Sequence, residues 1–188
     1  MRHLLLLQLS ICSIHLFGQQ TPTSFLKNLC SFESNKNETS KFVKIKLAVP
    51  CDWGADKNSV PNGVVKFFFE GKNIRATSSL VIGNLDKGIT DKDADYLLTE
   101  PGLKILTKGA TYVSSKSIIV NGIKGGEVIL KPNIEKPYCF YEIQNYFIYK
   151  RKIIMVNYSY TDKNKTNNSY SDYLKMFRNL VNKTLFIE

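Results

Sequence analysis

Residues 118–126 read IIVNGIKGG, three glycines within five positions, set between two apolar runs. A glycine-rich stretch of this kind either cradles a phosphate or turns the chain, and its flanks decide which. The preceding TYVSSKSIIV (111–120) and the following IKGGEVILK (123–131) are both rich in strand-forming residues. Asn121-Gly122 between them is a strong hairpin signal, because a type I′ turn needs positive φ at both central residues. A phosphate loop would place Lys-Ser or Lys-Thr after its last glycine and then a helix. Here Gly126 is followed by EVILKP. The stretch is therefore a β-hairpin, and Gly125 and Gly126 mark either a bulge or a place where another backbone comes close.

Outward from this hairpin the same antiparallel pattern recurs. In KFVKIKLAVP (41–50), Phe42 or Val43, Ile45, Leu47 and Val49 alternate as a half-buried strand requires, and Pro50 ends the run. VVKFFFE (64–70) and ATSSLVIGNL (76–85) are separated by a GKN turn. YCFYEIQNYFIY (138–149) and KIIMVNYSY (152–160) meet in a tight hairpin at Lys150-Arg151, with Ile154, Val156, Tyr158 and Tyr160 on one core-directed face. Thr90 followed by Asp93 predicts a helix start with acids where the helix dipole favours them. Pro101 interrupts, and GLKILTKG gives a second short helix closed by Gly109. The DKDAD spacing is not a calcium loop, since that pattern needs glycine where Tyr96 stands and glutamate where Gly102 stands. Ser169–Leu185 places Tyr173, Leu174, Phe177, Leu180 and Val181 at helical spacing, which predicts an amphipathic C-terminal helix. The class is α+β.

The 188 residues, 43% of them hydrophobic, suffice for one core. Residues 1–18 read as a secretory signal peptide: Arg2, an apolar run from Leu4 to Phe17, then Gly18 before polar residues. That run is broken by Gln8, Ser10, Ser13 and His15, short of the roughly twenty apolar residues of a membrane span. No transmembrane anchor is expected, and the protein is read as exported, to the periplasm or outside the cell. The alternative is a lipoprotein anchored through Cys12, in LSIC. Residues 19–40 read as a polar N-terminal linker with one turn of order, and residues 41–188 as a single α+β domain.

Both histidines, His3 and His15, lie in the signal segment. Without imidazole the remaining chain has no Ser-His-Asp triad, no Cys-His pair and no histidine general base. Cys30, Cys51 and Cys139 are too scattered for a zinc site, and they allow at most one intramolecular disulfide among three pairings. No metal and no cofactor are expected. The formal net charge of +10 is spread along the chain, with Lys150, Arg151 and Lys152 the tightest group. Export argues against nucleic acid as a partner and in favour of an envelope protein or an anionic envelope component.

Pro50-Cys51-Asp52-Trp53 after a strand, then VNGIKGGEV, a long aromatic hairpin and a final helix YLKMFRNLVNKTL resemble the PsbP-like superfamily over about residues 41–187. That superfamily is named for an extrinsic subunit of photosystem II, and it shares its fold with a Ran-binding nuclear import factor and small bacterial envelope proteins. The resemblance implies an antiparallel sheet of about six strands sandwiched between helices (α/β/α), binding or assembly roles, and no shared catalytic residues. The photosynthetic and Ran-binding roles do not carry over, since nothing in this chain matches an acidic Ran-binding surface.

The leading functional expectation is a non-enzymatic, exported binding or accessory protein. Eight of ten tyrosines fall in the last 51 residues, around the basic tip. Tyr146, Tyr149, Lys150, Arg151 and Lys152, with Trp53, are the candidate binding residues. Tyrosines in strands and a tryptophan plugging the core are the plainer alternative. A carboxylate-dependent hydrolase acting on polysaccharide through Glu135, Glu142 or Asp162 is a second reading. A chaperone-like accessory subunit for an exported partner is a third.

Overall fold

The computed structural model describes residues 21–35, 38, 40–57, 63–131, 139–162 and 170–187. In chain order these form α1 (Pro22–Phe25), β1 (Leu29–Glu33), β2 (Lys44–Pro50), β3 (Gly54–Asp56), β4 (Gly63–Glu70), β5 (Ile74–Asn84), α2 (Asp91–Leu97) and α3 (Glu100–Leu106). Then follow β6 (Thr111–Val120), β7 (Ile123–Lys131), β8 (Cys139–Tyr149), β9 (Lys152–Asp162), α4 (Tyr170–Asn182) and β10 (Leu185–Ile187). Seven strands make one sheet in the order β3-β4-β5-β9-β8-β7-β6, and β1-β2-β10 make a second. Every pairing is antiparallel.

The hairpin at Asn121-Gly122 forms as expected, with φ of 48° and 81° at its two central residues. The glycines that follow mark close approach, because β7 keeps its register with β8 across both of them. A Cβ on Gly125 would stand 2.6 Å from the Phe147 ring and from the Tyr146 carbonyl oxygen. One on Gly126 would stand 2.7 Å from the Leu103 methyls. Successive strand residues point to opposite faces, so β7 seats an aromatic ring of β8 on one face and helix α3 on the other.

The two faces carry separate cores. On the first, Ala76, Leu80, Ile82, Ile154, Val156, Tyr158 and Phe147 meet β2 and the buried stripe of α4. Tyr158 stacks on Phe177 at 5.0 Å and Tyr160 on Tyr173 at 4.1 Å. On the second, Val128, Leu130 and Tyr146 pack against Leu98 and Leu103. The first face is thus covered by a helix together with the small sheet rather than by helices alone.

Three strands, β1, β3 and β10, went unread in the sequence, and the large sheet has seven described strands where about six were expected. The segment 19–40, taken for a linker, supplies α1 and β1, and β1 pairs with β2 from Leu29↔Pro50 to Glu33↔Lys46. A disulfide joins Cys30 to Cys51, Cα atoms 4.8 Å apart. The C-terminal helix stops at Asn182 instead of reaching Leu185. Residues 185–187 leave it to pair with β2, and Phe186 packs edge-on against Phe147 at 5.1 Å. Pro101 does not interrupt but opens α3, where its missing N–H costs no hydrogen bond.

Helix α4 is tied to the sheet through Arg178. Arg178 Nε and Nη2 donate to the Glu127 carboxylate at 3.0 Å and 2.6 Å, and Lys116 Nζ lies 3.6 Å from it. Glu127 is buried on β7, so removing Arg178 would leave its charge with only the longer contact to Lys116. Arg178→Ala is expected to lower stability by roughly 3 kcal/mol, and Glu127→Gln with Arg178→Met by less, since no charge is then left unpaired. Urea titration of both variants checks the order. The 21-residue separation of Cys30 and Cys51 predicts that Cys51→Ser, or reduction, costs about 3 kcal/mol, measured by the same titration with and without dithiothreitol.

Candidate functional site

Four of the six expected binding residues share the β8–β9 turn, and most of their donors are already engaged. Lys150 and Arg151 both hold positive φ, 49° and 58°, as a two-residue hairpin turn demands. The Arg151 guanidinium donates to the carbonyls of Ile89 (2.7 Å) and Asp86 (3.2 Å) and lies 3.5 Å from Asp91 Oδ1, fastening the loop that leads into α2. Lys152 Nζ donates to Asn84 Oδ1 at 2.7 Å. Lys150 Nζ sits 5.3 Å above the Tyr149 ring, and Tyr149 tilts against Phe186 at 5.5 Å.

The other two stand apart. Tyr146 is buried on the opposite face, beneath α2 and α3, and its hydroxyl donates to Gln144 Oε1, whose amide donates to Glu142 Oε1 at 2.6 Å. Trp53 is buried edge-on to Phe25 at 5.8 Å, and Phe25 packs on Phe69 beside the β4–β5 turn, at the end of the sheet remote from Lys150. The structure therefore makes no single site of these residues. It also separates the hydrolytic candidates. Glu142 pairs with Ser159 and Asp162 with Cys139, so alternation puts the two carboxylates on opposite faces of the sheet, where they cannot flank one bond. Glu135 lies outside the described residues. Among the described residues no three His, Cys, Asp or Glu side chains gather to hold a metal.

The surface that does stand open is the β6 side. β6 is the last strand of the large sheet, and among the described residues it pairs only with β7. The opposite edge, β3, has three residues; β6 has ten. A bulge between Tyr112 and Ser114 leaves Val113 51% exposed, and Ile119 near the hairpin tip is 70% exposed. Against the inner side of this strand lies a groove of about 350 Å³, lined by Asp95, Leu98 and Thr99 at the end of α2 and by Ser117, Ile119 and Lys124 of the hairpin. The tip is held in place, since Asn121 Nδ2 donates to the Thr184 carbonyl at 2.5 Å. Tyr112 is pinned as well, its hydroxyl 2.7 Å from Ser115 Oγ and its ring under Lys104 Nζ at 4.8 Å. Nothing local marks these residues as an edge, because edge position depends on strand order. The one available hint is that TYVSSKSIIV carries a single lysine.

With this geometry the fold is PsbP-like. The solution structure of cyanobacterial PsbP from Synechocystis sp. PCC 6803 matches at a TM-score of 0.57, over 85% of this chain and 93% of that one, with 11% identity. A Pseudomonas aeruginosa protein of unknown function matches at a TM-score of 0.47, over 86% of this chain and 98% of that one, also at 11% identity. No protein-family model and no curated protein matches the sequence. Among the described residues no helix is long and apolar enough to cross a membrane.

The tyrosines gathered in the C-terminal part of the chain have a consequence for pH. Burial raises the phenols of Tyr146, Tyr158 and Tyr173 well above the ordinary value, and burial together with neighbouring Tyr141 pushes Tyr170, stacked on Tyr141 at 3.8 Å, to about 12. A phenol raised in the folded state binds its proton more tightly there than in the unfolded chain, whose tyrosines titrate near pH ~10. Its contribution is whole below about pH 10 and is lost as pH rises toward the folded value. Stability is expected to fall steadily from about pH 10 to about pH 12, with phenolate absorbance lagging until the chain unfolds. Urea midpoints and absorbance near 295 nm across that range check it.

Proposed function

We propose that the chain is an exported, non-enzymatic accessory protein that binds a partner polypeptide of the cell envelope through the β6 edge and its adjoining groove. The observation that carries this reading is the ten-residue edge strand β6, with a groove beside its hairpin end where Ile119 is exposed. The edge of a long strand presents unpaired backbone groups that another chain can pair with. The apolar run Leu4–Phe17 and the Cys30–Cys51 disulfide support export, because disulfides persist in oxidising compartments. The separation of Glu142 from Asp162 weighs against the hydrolase. The engagement of Arg151 and Lys152 within the chain weighs against the basic tip as the main binding surface.

The test is affinity capture from the envelope fraction of the source cell, at low and at moderate salt, with the wild-type chain, Ile119→Asp and Lys150→Ala. Ile119 and Lys150 are exposed, so both variants are expected to keep wild-type stability within about 0.5 kcal/mol. One protein retained at both salts by wild type and Lys150→Ala, and lost by Ile119→Asp, is the expected result. Loss with Lys150→Ala alone would return the interface to the β8–β9 tip. Capture confined to low salt, with no defined protein, would refute the accessory reading.

A further inference from the structure

Resting on that reading, we infer the form of the partner: an extended, acidic segment that adds to the large sheet as a further strand along Ser114–Val120 of β6. A strand at the end of a sheet presents a row of backbone N–H and C=O groups directed outward. Proteins that do not use such an edge shorten it, cover it, bulge it, or set charges or a proline along it. β3, the opposite edge, is short. β6 is long, and between Ser114 and Val120 it holds no proline and one lysine, Lys116. That lysine is drawn back toward the sheet by Glu127, 3.6 Å away. β6 keeps a bulge at its start and one inward-drawn lysine, but from Ser114 to Val120 it holds no proline and no described strand other than β7 lies against it, so the backbone there is suited to pairing with another extended chain.

The side chains select among occupants. Lys124, opposite Ile119, and Lys131, opposite Thr111, stand at the two ends of the edge, both exposed and without an ion pair among the described residues. A second copy of this chain would bring the same lysines, and a formal net charge of +10, against them. An acidic strand meets them with the opposite sign. Ile119, on the groove side of β6, gives an apolar residue of the incoming strand a place to rest. Affinity then comes from main-chain hydrogen bonds and selectivity from the alternating side chains, which is how strand addition operates.

Hydrogen–deuterium exchange of the protein, alone and with capped ten-residue peptides, tests this. The probe alternates valine and glutamate; one control puts lysine for glutamate, and another puts proline at two alternate positions. The expected result is exchange slowed about tenfold at alternate amides from Ser114 to Val120 with the valine–glutamate peptide, and not with either control. Absence of protection, protection elsewhere, or equal protection by the lysine peptide would overturn it. So would protection that rises with protein concentration and no peptide, which would make a second copy the occupant. The two proposals fail separately: an envelope protein captured without protection of Ser114–Val120 removes strand addition alone, and no captured protein removes the accessory reading alone.

Discussion

Three consecutive residues of β7 hold the layers together. Gly125 leaves room for the Phe147 ring on one face, and Gly126 admits Leu103 of α3 on the other. Glu127 returns to the first face and takes the guanidinium of Arg178 from α4. A side chain at Gly125 would meet the Tyr146 carbonyl oxygen at 2.6 Å, so β7 and β8 could not keep their distance, whereas one at Gly126 would displace the Leu103 methyls. Because register in a hairpin is set by its turn, Asn121-Gly122 decides which residues face which layer. A slip of one residue would turn Glu127 toward Leu103 and carry Val128 to the side of Arg178.

That dependence explains what could be read from the chain. The hairpins around Asn121-Gly122 and Lys150-Arg151, the Thr90 cap and the stripe of α4 are local patterns, set by residues within one turn or one strand of each other, and they appear where expected. The two unread end strands, β1 and β10, are different. LCSFE and LFI are short and exist as strands because β2 lies between them, Cys30 is bonded to Cys51, and Phe186 finds Phe147. Each of those partners is distant in sequence. β3 likewise consists of three residues whose pairing with Lys66–Phe68 nothing local announces. The pairing of the cysteines had the same character: three choices were equal until β1 was seen alongside β2.

The candidate binding residues show the limit from the other side. Tyrosine and lysine side by side in sequence suggest a common surface, yet Tyr146 and Tyr149 differ in parity on β8 and so lie on opposite faces. Arg151 looked like a free cation at a hairpin tip. Its guanidinium instead satisfies two carbonyls of the 85–90 loop, at a position where a non-glycine residue with φ of 58° carries a backbone cost of about 1 to 2 kcal/mol. Composition gave a net positive charge, but only strand order shows which lysines remain exposed beside an open edge.

The edge itself follows from how the sheet is completed. β9 and β5 are central, and α4 with the small sheet covers their apolar face. α2 and α3 cover β7 and β8 on the second face, reaching β6 through Tyr112 and Ala110 but leaving Ile119 beyond their span. Two short helices of seven residues each run about 10 Å apiece, whereas a ten-residue strand runs about 33 Å. The helices therefore cannot shield the whole of β6. At the hairpin end, where Lys124 and Ile119 sit and where Asn121 is tied to Thr184, the end of α2 leaves a groove rather than a packed contact. A rigid, uncovered strand end beside a groove lets an incoming chain pair without first ordering the protein, so less of the association energy is consumed in immobilising loops.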